Sequence, residues 1–74
     1  MTLAECKLGE KVIVEEIQID GKMKNRFLEL GLTPGTVVAI SNIAPFGDPI
    51  AINLRGFKLS FRKEEAKNIK IKKV

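Results

Sequence analysis

The side chains able to do chemistry in this sequence are one thiol, Cys6, two pairs of adjacent glutamates and a scatter of arginines and lysines. Histidine, tyrosine and tryptophan are all absent. Without them neither a Ser/His nor a Cys/His pair can be assembled. Losing histidine also removes the commonest general acid–base and the commonest transition-metal ligand together. Glu15-Glu16 and Glu64-Glu65 do not replace them. Neighbours on a strand point to opposite faces, and neighbours on a helix lie about 100° apart. No glycine-rich run suited to cradling phosphate occurs. The expectation is a protein that is not an enzyme.

Metal chemistry fares no better. Transition metals favour imidazole, carboxylate and thiolate ligands held in one cluster, and Cys6 with scattered Asp and Glu shows no ligand spacing. We expect no metal site and no cofactor. Cys6 reads as a small, half-buried apolar residue rather than a reactive thiol.

Binding is what remains. The net charge is +4, and it is concentrated at one end. Residues 57–74 hold seven bases against two acids, while Met1–Gly56 is close to neutral. Such a stripe suits an acidic partner, nucleic acid or an anionic membrane surface, although outward lysines also keep sheet edges from pairing. The candidate contact residues are Lys58, Arg62 and Lys70 in this stripe, Arg26 on a helix and Phe46 in a loop. Phe46 serves either as a contact or as a lid over one barrel end. Phe27, Phe57 and Phe61 are spaced as core residues.

These residues need elements to place them. Leu8-Gly9-Glu10 is a turn that opens a strand over Lys11–Ile19. Its alternation breaks at Glu15-Glu16, which predicts a bulge or sharp bend. Asp20 is a candidate N-cap for a short helix over Lys22–Leu30, whose apolar face is Met23, Phe27 and Leu30. Gly31 stands where a helix end needs a left-handed residue, and Leu32 can fold back on the last turn. Thr33-Pro34-Gly35-Thr36 predicts a type II turn.

The period then returns to two. Thr36–Ile43 is a strand, and Ala44-Pro45-Phe46-Gly47-Asp48-Pro49 is a loop. Ile50–Leu54 and Phe57–Phe61 form a hairpin around Arg55-Gly56. Lys63–Lys67 permits one helical turn before a last strand containing Ile69 and Ile71. Short strands leave exposed edges unless the sheet closes. The fold class expected is all-β: one domain over residues 1–74, a five-stranded SH3-like barrel with a short inserted helix and a one-turn helical connector.

Three segments resemble a known family. Arg26-Phe27-Leu28-Glu29-Leu30-Gly31-Leu32-Thr33-Pro34-Gly35-Thr36 is similar to the central motif of the ferrous iron transport protein A (FeoA) family. The loop Ala44–Pro49 and the hairpin and connector Arg55–Ala66 match the same family in the same order. Phe27 departs from it, standing where leucine is usual. The resemblance implies an SH3-like barrel acting beside the membrane ferrous-iron permease, whose cytoplasmic portion carries a GTPase domain. It also implies kinship with a domain found behind metal-dependent transcriptional repressors.

On that resemblance the chain is a cytoplasmic accessory of ferrous-iron uptake that binds and modulates the permease. Its membrane contact would be at most peripheral, and for so small a core self-association or a partner would add stability. The alternatives are a relative of the repressor domain that binds a proline-rich segment and a basic nucleic-acid-binding barrel. No nucleic acid is expected as a partner, because the few aromatic rings are all phenylalanine and most are spaced for the core. The thiol usage and the want of a leader-like apolar stretch suit a reducing compartment.

Overall fold

A computed structural model describes all of residues 1–74. The strands are β1 (Lys11–Ile17), β2 (Val37–Ile43), β3 (Ile50–Leu54), β4 (Phe57–Phe61) and β5 (Ile69–Lys73). Helix α1 (Lys22–Glu29) lies between β1 and β2, and the one-turn α2 (Lys63–Ala66) lies between β4 and β5. A 3-10 turn, Leu3–Glu5, precedes them. All pairings are antiparallel, in the order β4-β3-β2-β1-β5.

Alternation decides which residues face inward. Val12, Val14 and Ile17 of β1, Val38 and Ile40 of β2, and Ile69 and Ile71 of β5 are buried. They meet Ile50, Ile52 and Leu54 of β3, with Leu3, Leu32, Phe27, Phe61 and Ala66 closing the cluster. The expected bulge is present, for the β1–β5 register shifts between Val14 and Glu16. It lets β1 hold Ile17 inside while Glu15 and Glu16 both stay exposed.

The end of α1 is a Schellman motif. Leu32 donates its N–H to the Phe27 carbonyl (3.1 Å) and Gly31 donates to Leu28 (3.0 Å), with Gly31 at φ 103°. The following turn closes through Thr36 N–H to the Thr33 carbonyl (3.1 Å), with Gly35 at φ 93°.

Several expectations are corrected. Phe57 was expected in the core, yet it is 73% exposed. Along β4 burial deepens from Phe57 through Leu59 to Phe61; Leu54, directly across from Phe57, is buried, so Phe57 is left uncovered by its place on the edge strand and not by its distance along the hairpin. Leu30 is likewise exposed, and Leu28 packs against the core with Met23 and Phe27. Asp20 caps nothing: the residue before α1 is Gly21 at φ 83°, with no side-chain cap. Leu3 is wholly buried although nothing periodic marks it.

Candidate functional site

Phe27 anchors α1 to the barrel. Its ring meets Phe61 edge to face, with centroids 5.1 Å apart and planes at 85°. That contact holds α1 alongside β4 and leaves a groove between them. Two cavities of about 580 and 210 Å³ lie there, and both are lined by Arg26, Ser60, Phe61 and Glu65. The larger adds Met23, Pro49, Arg62 and Glu64, and the smaller adds Phe27, Leu30, Lys58 and Leu59.

Three of the five candidate contact residues therefore come together. Arg26 projects from α1, while Lys58 and Arg62 belong to β4 and the residue after it, and all three are exposed. None has an ion-pair partner, since the molecule's one salt bridge joins Lys73 Nζ to Glu10 at 3.7 Å. Glu65 shares the groove, but one of its carboxylate oxygens accepts the Arg62 N–H at 2.8 Å.

The other two candidates stand apart. Lys70 sits on the opposite edge strand, half-buried and paired across the ladder with Glu16, and lines neither cavity. Phe46 is 92% exposed and so does not lid the barrel. Its loop is fastened to the start of α2 by Lys63 N–H donating to Asp48 Oδ1 at 3.2 Å. Pro49 of that loop lines the groove, which puts Phe46 three residues from its rim. Reading the sequence missed Ser60 and Glu65. Ser60 was open to discovery, for it shares the outward phase of β4 with Lys58; Glu65 was not, since only the turn of α2 brings it back.

No three Cys, Asp or Glu side chains converge in a way that could hold a metal ion. Cys6 is buried, with Sγ 3.8 Å from the Thr2 carbonyl. Burial, then the charges of Glu10 and Glu5, push its thiol up from 9.0 to about 11. A thiol so held is protonated at neutral pH, which makes it a poor ligand and a poor nucleophile. The shift has a sign for stability. Below pH 9.0 both folded and unfolded chains keep the proton, and between 9.0 and about 11 only the folded chain does. Stability should therefore fall as pH rises through that window, and more steeply than in Cys6→Ala. Parallel urea-midpoint profiles for the two proteins from pH 8 to 11 would refute this.

A five-stranded antiparallel sheet curled over one core, with an inserted helix and a groove along one edge, defines a small SH3-like barrel domain. The chain belongs to the FeoA domain family, which it matches over residues 1–73. A FeoA-like protein from Clostridium acetobutylicum is 39% identical, with a TM-score of 0.88 over 100% of this chain and 86% of that one. The zinc-complexed FeoA of Stenotrophomonas maltophilia, described as a prokaryotic SH3 domain protein, is 28% identical, with a TM-score of 0.86 over 97% and 89% of the two chains. The Fe(2+) transport protein A/Fe(2+) transporter FeoB fusion protein of Porphyromonas gingivalis is 27% identical over 71 residues. That match takes in 96% of this chain, which spans only 8% of the fusion protein. The family is thus linked to ferrous-iron transport.

Proposed function

We propose that this chain is a cytoplasmic accessory of ferrous-iron uptake that docks on the membrane ferrous-iron transporter, at or near its GTPase domain, and modulates it. The observation that carries the reading is the fusion of a relative of almost the whole chain to an Fe(2+) transporter in one polypeptide. Fusion raises the effective concentration of one module at the other, which is useful when the two must meet. The docking surface is the groove between α1 and β4, where Arg26, Lys58 and Arg62 are unpaired, with Phe46 beyond its rim. The same cations would draw the domain toward an anionic membrane surface. No helix is long and apolar enough to cross a membrane, so that contact would be peripheral.

Capture of the transporter's cytoplasmic portion by the purified chain tests the proposal. The triple variant Arg26→Glu, Lys58→Glu, Arg62→Glu should lose about ten-fold or more in affinity, because each reversal turns attraction into repulsion at the interface. Lys70→Glu should bind within about two-fold of the parent, since Lys70 lies on the opposite edge strand and lines neither cavity. Raising the salt should weaken the parent and not the triple variant. A folded triple variant that captures the transporter and supports iron uptake as the parent does would overturn the assignment. So would a parent chain that captures nothing.

A further inference from the structure

The mode of binding at this groove can be read from the edges of the sheet, and it rests on the docking reading above. The β5 edge is covered: Thr2 bridges to Lys70, and Ile71 donates its N–H to the Met1 carbonyl at 2.9 Å. The β4 edge is bare, since β4 pairs with β3 alone. The two-residue turn Arg55-Gly56, with φ of 50° and 86°, makes Leu54↔Phe57 a pair that exchanges both hydrogen bonds. Every second pair repeats the pattern, at Ile52↔Leu59 and Ile50↔Phe61. Lys58 and Ser60 therefore turn their N–H and C=O groups away from β3, and no loop or turn takes them up. Such a row is a template for another strand.

The bare groups open on the groove. Lys58, Leu59 and Ser60 all line its smaller cavity, so the groove is bordered by both faces of β4 and runs along the strand's edge. On one face the walls are apolar, with the half-buried Leu59 opposite Leu30, which is 40% exposed. On the other stand Lys58 and Arg62, unpaired, with Arg26 across the groove. A second copy of this chain pairing on β4 would crowd these cations against their own kind, which is unfavourable across a strand pair. We infer that the groove takes an extended, acidic segment of a partner protein as a sixth strand on β4. Its carboxylates alternate with apolar side chains: the carboxylates lie beside Lys58 and Arg62, and an apolar side chain enters between Leu59 and Leu30. This is strand addition, with main-chain bonds supplying affinity and alternate side chains supplying choice.

Pairing geometry makes the inference sharp. With the added strand antiparallel to β4, a partner residue opposite Lys58 shares its face and also exchanges both main-chain bonds with it. The acidic residues of the added strand are thus the ones whose N–H groups face β4. The probe is a capped Asp-Val-Asp-Val-Asp peptide titrated into the isotope-labelled full chain. On saturation, exchange of the Lys58 and Ser60 amide protons should slow about ten-fold or more. N-methylation of the Asp amides should weaken binding about ten-fold or more, as should Lys in place of Asp. N-methylation of the Val amides should change it by no more than about three-fold. Equal effects of the two methylations, undiminished binding of the lysine peptide, or no binding at millimolar peptide would each overturn the inference. The transporter is absent from this experiment, so its failure counts against strand addition alone and leaves the docking proposal to the capture experiment.

Discussion

Replacing Phe27 with alanine should leave the chain largely unfolded at room temperature. The side chain is 1% exposed, and it is the only aromatic contact between α1 and the sheet. Truncating a buried phenylalanine costs about 3–5 kcal/mol, part from lost burial and part from the cavity left behind. A core in a domain of 74 residues rarely supplies more than about 3–5 kcal/mol net, so the loss is comparable with the whole. Phe27→Leu keeps most of the volume, forfeits only the edge-to-face contact, and should cost about 1–1.5 kcal/mol. Urea unfolding followed by circular dichroism measures both. A loss under about 1 kcal/mol for Phe27→Ala would mean that α1 is not held by this ring, and the groove would lose its far wall.

Gly31→Ala should cost nearly as much for a different reason, about 2–4 kcal/mol. At φ 103° the backbone is open to glycine and strained for any other residue, by about 1–3 kcal/mol. A Cβ there would also stand 3.1 Å from Leu54 Cδ2, and Leu54 is 2% exposed and has little room to yield. Gly35 provides the comparison. Its φ of 93° imposes similar strain, but nothing lies within 4 Å of an added Cβ. Gly35→Ala should therefore cost only about 1–2 kcal/mol. In a domain of this size each kcal/mol lowers the melting temperature by about 4–8 °C, so the two variants should melt several degrees apart. Equal melting temperatures would show that Leu54 gives way freely and that backbone strain alone sets the cost.

Where neighbouring residues settle a conformation, the fold was legible. The doublet Glu15-Glu16 could not keep one strand face apolar and the other polar, and the register shift lies there. Gly31 and Leu32 announced a helix end, and both bonds of that motif form. Phe57 misled because it keeps perfect phase with Leu59 and Phe61. Phase says which face a side chain takes, but not whether its strand lies at the edge of the sheet, where nothing need cover it. Asp20 misled because a good capping residue one position too early has no helix N–H to meet, the turn at Gly21 having carried the chain elsewhere.

The candidate site divides the same way. That the chain has no histidine or tyrosine and a single cysteine follows from residue types alone, and folding cannot add a histidine. The basic stripe, by contrast, is a count along the chain, and a count does not know which edge of the sheet each residue joins. Lys58 and Lys70 are alike in sequence, each on a strand between apolar neighbours. The order β4-β3-β2-β1-β5 sends one to a bare edge beside Arg26 and the other to the edge closed by Met1 and Thr2. Local pattern, then, was enough for the elements, since they depend on residues a few positions apart. Which strand edge stays open, and which cations gather on it, is decided by contacts between residues far apart in the chain, and those exist only once the sheet has closed.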